Sequence, residues 1–79
     1  MGPMNLKFTI HCQVRLLERT LNVEHIKQAI LKPDRQRDAG EGAIKVWKKI
    51  GTKQIVVVYA RDGFRDRKND YFIITAYYI

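Results

Sequence analysis

The spacing of apolar residues changes along this chain, and that change most constrains the fold it can adopt. Residues Leu6 to Ile10 alternate between apolar and polar, which predicts a short β-strand with Leu6, Phe8 and Ile10 on one face. From His11 the apolar residues recur at helical spacing, and beyond residue 42 the alternation of β-strands returns. This order predicts an α+β fold in which helices pack on one face of a sheet.

Two helices are expected in the first half of the chain. Thr9 and Asn22 are side chains that cap free N–H groups in a first helical turn, so they predict where the helices begin. Lys32-Pro33 ends the second helix, because the residue before a proline is pushed out of helical geometry. The buried stripes are expected at Val14, Leu17 and Leu21 in the first helix and at Ile26, Ala29 and Ile30 in the second.

Three strands are expected in the second half, at residues 43–50, 54–60 and 70–79. Asp34 to Gly42 and Arg61 to Asn69 are polar and contain glycine, so both predict loops. The expected fold is therefore β-α-α-β-β-β, with two N-terminal helices packed on one face of a small antiparallel sheet.

The alternation within these strands predicts which side chains face the helices. The residues expected on the helix side are Ile44, Val46, Ile50, Phe72, Ile74 and Ala76. Those expected on the other side are Lys45, Trp47, Lys49, Tyr71, Ile73, Thr75 and Tyr77. That second side would combine cations, aromatic rings and hydroxyl groups.

The chain of 79 residues is long enough for one compact core, and residues 4–79 are expected to form a single domain. Met1 to Pro3 is interpreted as a remnant of cloning. Cys12 is the only cysteine, which excludes an internal disulfide and a CxxC zinc site and favours a cytoplasmic location. We expect no cofactor and no metal. No membrane span is expected either, since no apolar run is long enough to cross a bilayer.

The chain is strongly basic. Fifteen Lys and Arg residues against eight Asp and Glu residues give a net charge of +7. Such an excess attracts phosphate backbones through Coulomb attraction and counterion release, which predicts a nucleic-acid partner, RNA above all. A solvated basic surface that only keeps the protein soluble is the alternative.

His11, Arg15 and Arg19 recur every four residues, which places them along one side of the first helix. An imidazole can transfer a proton near neutral pH, and guanidinium groups stabilise charge on phosphate oxygens, so the group suits phosphodiester chemistry. Thr75 and Tyr77 lie two residues apart on the last strand, where either hydroxyl could orient a phosphate. The alternatives are an exposed arginine face and ordinary sheet positions.

Lys45, Trp47 and Lys49 place an aromatic ring between two cations on one strand face, a pattern that suits stacking and backbone contact with single-stranded RNA. A simply packed Trp47 is the alternative. The expected loops contribute further cations that could wrap a ligand, namely Arg35, Arg37, Arg61, Arg65, Arg67 and Lys68. His25, on the second helix, is expected to face solvent or a loop.

Several short motifs resemble those of the small prokaryotic family called domain of unknown function 4258. They are His11-x-x-x-Arg15-x-x-x-Arg19, the Pro33-Asp34 break and the closing run Ile74-Thr75-Ala76-Tyr77. Such domains resemble toxins of the RelE, ParE and BrnT type, many of which cleave RNA without a metal and are silenced by an antitoxin. The resemblance implies a RelE-like fold and a site at His11, Arg15, Arg19 and Thr75, with Tyr77 as a weaker member.

These observations predict a metal-independent endoribonuclease toxin in which the RNA 2′-hydroxyl attacks its own phosphate. His11 would act as general acid or base, and Arg15 and Arg19 would stabilise the charge, with Thr75 or Tyr77 orienting the phosphate. Its partners would be RNA and a cognate antitoxin. The main alternative is a non-catalytic nucleic-acid-binding or regulatory module.

Overall fold

A computed structural model describes residues 5–18, 20–61 and 70–79 of the chain. The elements are β1 (Asn5–Phe8), α1 (Ile10–Leu17), α2 (Val23–Leu31), β2 (Arg35–Gly40), β3 (Ala43–Ile50), β4 (Lys53–Arg61) and β5 (Asp70–Tyr78). Met1 to Pro3, Arg19 and the three basic residues of the second expected loop (Arg65, Arg67 and Lys68) lie outside the described residues.

The strands form one five-stranded sheet in the order β1-β5-β4-β3-β2. β1 runs parallel to β5, and every other neighbouring pair is antiparallel. The α+β class and the two N-terminal helices are therefore confirmed, whereas the wholly antiparallel sheet with four strands is wrong. Two helices and three strands separate β1 from its partner β5 along the chain, and a parallel pair needs such a long connection because a tight hairpin turn gives an antiparallel pair.

The segment predicted as a loop at Asp34 to Gly42 contains β2, so that prediction is wrong. Arg35–Gly40 pairs antiparallel with β3, and a turn at Glu41 and Gly42 joins the two strands. Gly40 and Gly42 have φ angles of 85° and 79°, which glycine adopts without steric cost. β2 is exposed along its whole length, so its residues show no apolar alternation by which the sequence could have revealed a strand.

Both helices begin at the caps that the sequence predicts. The Thr9 hydroxyl accepts a hydrogen bond from the Cys12 N–H at 3.3 Å, and the Asn22 side chain accepts one from the Glu24 N–H at 2.9 Å. α2 ends at Leu31, directly before Lys32-Pro33. Its predicted buried stripe is confirmed at Ile26, Ala29 and Ile30.

The stripe predicted for α1 is wrong. Cys12 is fully buried and Leu16 packs against the core, whereas Val14 and Leu17 are 47% and 83% exposed. Leu21 is buried, although it lies after the end of α1. Ile10, expected on the apolar face of β1, instead opens α1 at 80% exposure. Contacts of α1 with the edge of β5, described below, set this rotation of the helix.

The core lies between the two helices and one side of the sheet. β3 faces it as predicted, with Val46 fully buried and with Ile44 and Ile50 packed against the core. The other buried core members are Cys12, Leu21, Ile26, Ala29, Ile30, Ile55, Val57, Tyr59, Ile73 and Ala76. No helix within the described residues is long and apolar enough to cross a membrane.

A β-bulge in β5 changes which side chains face this core. Val58 pairs with Thr75 and the next residue, Tyr59, pairs with Ile73, so Ile74 is an extra residue on its strand. An extra residue reverses the alternation on one side of the bulge. The predicted orientation is therefore correct after the bulge and wrong before it.

The reversal affects four residues. Ile73 is fully buried and Tyr71 packs against the core, although both were predicted on the opposite side. Phe72 and Ile74 were predicted to face the helices, and they are 40% and 38% exposed. The sequence cannot show a bulge here because all of these residues are apolar or aromatic, so either parity gives an apolar face.

Candidate nucleic-acid interface

The side of the sheet away from the helices is called the open face. Lys45, Trp47 and Lys49 lie on it as predicted, because they alternate along β3 with core residues such as Val46. Thr75 and Tyr77 lie on it as well, on either side of the buried Ala76. The structure thus brings two of the five predicted catalytic residues onto the same face as Lys45, Trp47 and Lys49, three of the seven predicted RNA-binding residues.

β2 adds two arginines to the open face. Arg35 lies directly opposite Trp47, and Arg37 lies directly opposite Lys45. Their neighbours Gln36 and Asp38 alternate to the other side, where they lie opposite the core-facing Val46 and Ile44. The sequence analysis placed both arginines in a loop, so it missed their fixed position beside Trp47.

Two cations converge on the indole ring of Trp47. The Arg35 Cζ atom lies 4.6 Å from the ring centroid, and the Lys45 Nζ atom lies 5.2 Å from it. Both distances are within the range of cation–π attraction. The simple packing alternative for Trp47 does not describe this arrangement, since its ring is only half-buried and its closest charged partners are surface cations.

A buried valine lies between the aromatic residues of the open face. Val56 lies between Trp47 and Tyr77 in the cross-strand register, and it is only 1% exposed although it does not belong to the helix-side core. Neighbouring strands are about 4.8 Å apart, so the two aromatic residues are separated by about 10 Å. Thr75 lies one row further along, opposite Val58.

The charged side chains that the structure describes on the open face all carry a positive charge. They are Lys7, Arg35, Arg37, Lys45 and Lys49. Two carboxylates adjacent in sequence to the β2 arginines are engaged elsewhere. Asp34 pairs with Lys48 at 3.7 Å and accepts from the Lys49 N–H at 2.7 Å, and Asp38 accepts from the Gly40 N–H.

Helix α1 lies along the edge of β5, beyond the last residue of β1. Thr9 Oγ1 and Cys12 Sγ both donate to the Ile74 carbonyl, at 3.2 Å and 3.6 Å. Arg15 Nη1 donates to the Ala76 carbonyl at 3.0 Å. These side chains satisfy carbonyl groups that a neighbouring strand would otherwise bind, so α1 blunts the free edge of the sheet.

The order of side chains around α1 shows where His11 points. At 3.6 residues per turn, Leu16 lies about 40° from Cys12 in one direction, towards the core. In the other direction Arg15 lies about 60° and His11 about 100° from Cys12. Arg15 contacts the β5 edge, and His11 lies next to Arg15 on the exposed side of α1.

The other predicted site residues cannot be placed in the same way. Arg19, Arg65, Arg67 and Lys68 lie outside the described residues, and Arg61 is the last residue of β4. In the part of the chain that the structure does describe, no group of three or more His, Cys, Asp or Glu residues could hold a metal ion.

His25 was predicted to face solvent or a loop, but it contacts Tyr78 of the last strand instead. Its Nδ1 atom lies 2.9 Å from the Tyr78 hydroxyl oxygen, which also accepts a hydrogen bond from the Asn22 N–H at 3.2 Å. The two rings meet edge to face, with centroids 6.0 Å apart. This contact ties the start of α2 to the end of β5 on the core side, away from the open face.

No protein-family model matches this chain, and no curated protein or solved structure is similar enough to count as a match. The resemblance to the domain of unknown function 4258 family, and with it the RelE-like fold, stays a prediction.

Proposed function

We propose that this protein binds single-stranded RNA on the open face of its sheet. The observation that carries the proposal is the convergence of Arg35 and Lys45 on the Trp47 ring, within a face that has five cations and no carboxylate among its described side chains. Cations bind the phosphate backbone and an aromatic ring stacks on a base. Together they match the two chemical parts of a single strand.

The energetics of the open face support a ligand that is negatively charged. Arg37 and Lys45 lie directly opposite each other on neighbouring strands, where like charges destabilise a sheet. No ion pair offsets this repulsion among the described residues. A bound phosphate would do so, whereas a surface that served only solubility would favour interspersed charges of both signs.

The aromatic rings of the open face favour a single-stranded nucleic acid over a duplex. A base can stack on Trp47 or Tyr77 only if its own face is free, and the bases of an A-form duplex are already stacked. Thr75 and Tyr77 present hydroxyls on the same face, and these can exchange hydrogen bonds with a 2′-hydroxyl, which favours RNA over DNA.

Fluorescence anisotropy of a labelled single-stranded RNA tests the proposal. We expect binding whose log Kd depends linearly on log salt, with a slope of about 0.7 for each phosphate contact. Lys45→Ala should weaken binding and lower the slope, whereas Lys32→Ala, which removes an exposed charge at the end of α2, should leave both unchanged. Equal losses from the two variants, or equal affinity for duplex RNA, would refute an RNA site on the open face.

We also propose that the strand is cut where the open face meets α1, as in an endoribonuclease toxin that an antitoxin silences. The observation that favours this second activity is the position of His11 and Arg15 on the side of α1 that borders the β5 edge. Arg15 has five N–H donors and uses one of those on Nη1 for Ala76, so others are available to phosphate oxygens.

The reaction proposed at this edge needs no metal. His11 takes the proton from an RNA 2′-hydroxyl, whose oxygen then forms a bond to the neighbouring phosphorus. The bond from phosphorus to the 5′-oxygen of the next nucleotide breaks, and that oxygen takes a proton from water. The products are a 2′,3′-cyclic phosphate and a free 5′-hydroxyl, and Arg15 stabilises the charge that builds up on the phosphate oxygens.

Incubation of RNA with the protein and a chelator tests cleavage separately from binding. We expect cyclic-phosphate ends with the wild type, and a loss of rate by a factor of about 10²–10⁴ in His11→Ala. RNA with 2′-O-methyl groups should bind and stay intact, because it lacks the attacking hydroxyl. Equal cutting by both proteins, or none by either, would leave only the binding proposal.

A further inference from the structure

We infer that Arg35 and Trp47 hold one unpaired base between them, while Arg37 and Lys45 bind the adjoining phosphate. The inference rests on the proposed RNA binding and says how the open face recognises its ligand. Arg35 and Trp47 lie directly opposite each other on neighbouring strands, with the guanidinium carbon 4.6 Å from the ring centroid. They are two flat groups that already face each other across a strand pair.

The gap between these groups must widen to admit a base. Stacked bases are about 3.4 Å apart, so a base between two planar groups needs them about 7 Å apart. Arg35 would therefore move away from the ring by about 2–3 Å. A guanidinium also stacks on aromatic faces through its own plane, so it can cover the second face of the base.

Arg35 and Trp47 are together called the clamp, and the fold holds one of them more firmly than the other. Trp47 lies on β3, which pairs with strands on both sides, and it packs beside the buried Val56. Arg35 lies on the edge strand β2, all six residues of which are exposed. The indole is thus a fixed platform and the guanidinium an adjustable cover.

The phosphate site lies in the next row of the sheet. Arg37 and Lys45 face each other one row from Arg35 and Trp47, a step of about 6.7 Å along the strands. A nucleotide spans a distance of this order between its base and its phosphate. Since every base has a π-face, the clamp selects unpaired bases with little preference for sequence.

The fluorescence of the wild-type protein gives a direct test, because Trp47 is the only tryptophan in the chain. We expect single-stranded oligoadenylate to quench it on binding, since a base then contacts the indole. Inorganic polyphosphate should compete with the RNA without quenching, and duplex RNA should not quench. Quenching by single-stranded DNA would support the same clamp and would assign it to unpaired bases of either nucleic acid.

Two matched variants separate stacking from charge. Arg35→Ala and Arg37→Ala each remove one guanidinium from the same face of the same strand, so both should lower the salt slope by about 0.7. Only Arg35→Ala should also reduce the preference for oligoadenylate over polyphosphate. Arg35→Lys, which keeps the charge but lacks the plane, should lose that preference while keeping the slope.

Removal of the platform should have a larger effect. Trp47→Ala should weaken oligoadenylate binding by about 5- to 150-fold and leave polyphosphate binding unchanged. Trp47→Phe keeps a ring and should lose much less affinity, which guards against a loss due to unfolding.

The outcomes distinguish this inference from the proposed function. RNA binding on the open face with no quenching, or with equal effects of Arg35→Ala and Arg37→Ala on the preference for oligoadenylate, would overturn the clamp and leave the binding proposal intact. Failure of the protein to bind RNA at all would overturn both.

Discussion

The two faces of the sheet are built from the same strands but have opposite chemistry. On β3, Val46 faces the helices and is fully buried, while the residues on either side of it, Lys45 and Trp47, lie on the open face. On β2, Arg35 and Arg37 face one way while Asp38 alternates to the other. On these two strands, alternation thus places Arg35, Arg37 and Lys45 on one face, and Val46 and Asp38 on the other.

The difference shows which part of the molecule the stability of the fold requires. The helix side contains most of the buried apolar side chains, and burial of apolar surface is the main contribution to stability. The open face places Arg37 opposite Lys45, an arrangement that costs stability. Features that cost stability without a structural benefit are expected at functional sites.

The largest effect should distinguish the two sides of β5. Ile73→Ala removes a fully buried side chain and should lower the free energy of unfolding by about 2–5 kcal/mol. Phe72→Ala, at the neighbouring position on the open face, should lower it much less. Urea denaturation monitored by circular dichroism measures both, and a larger loss for Phe72→Ala would contradict the bulge and support the orientation first predicted from the sequence.

The next effect concerns the edge where the two faces meet. Thr9→Ala removes both the cap of α1 and the hydrogen bond to the Ile74 carbonyl, so it should cost about 1 kcal/mol of stability or slightly more. Asn22→Ala removes a cap without a bond to the sheet and is the matched control. If the hydrogen bond from Thr9 to the Ile74 carbonyl adds stability, Tm in thermal unfolding should decrease more for Thr9→Ala than for Asn22→Ala.

A charge reversal should move stability and binding in opposite directions. Arg37→Glu places a carboxylate opposite Lys45 and should raise the free energy of unfolding by about 0.2–1 kcal/mol. The same variant should bind single-stranded RNA more weakly at every salt concentration. A variant that is more stable and still binds RNA with wild-type affinity would contradict the functional interpretation of the open face.

The smallest effect compares two adjacent lysines on opposite faces. Lys49→Ala should lower the salt slope of RNA binding by about 0.7, whereas Lys48→Ala should leave the slope unchanged. The latter should cost at most about 1 kcal/mol of stability through its pair with Asp34. Identical binding behaviour of the two variants would show that charge alone, and not the face, governs RNA affinity.

The sequence alone determined the parts of this protein that depend on local physics. Caps at Thr9 and Asn22 fix where the helices begin, because a free N–H group can be satisfied by the nearest side chain oxygen. The proline at position 33 fixes the end of α2. The strict alternation of β3 put Lys45, Trp47 and Lys49 on the open face, which is why much of the candidate interface could be predicted.

Only the tertiary structure decided the rest, since it depends on partners far away in the chain. β2 contains a single apolar residue, Ala39, and it is a strand because it pairs with β3, which is how Arg35 reaches Trp47. The bulge at Ile74 and the rotation of α1 towards Cys12 likewise follow from pairing with β4 and from donors to the β5 edge. Local periodicity contains no information about such long-range pairing, so it cannot predict these features.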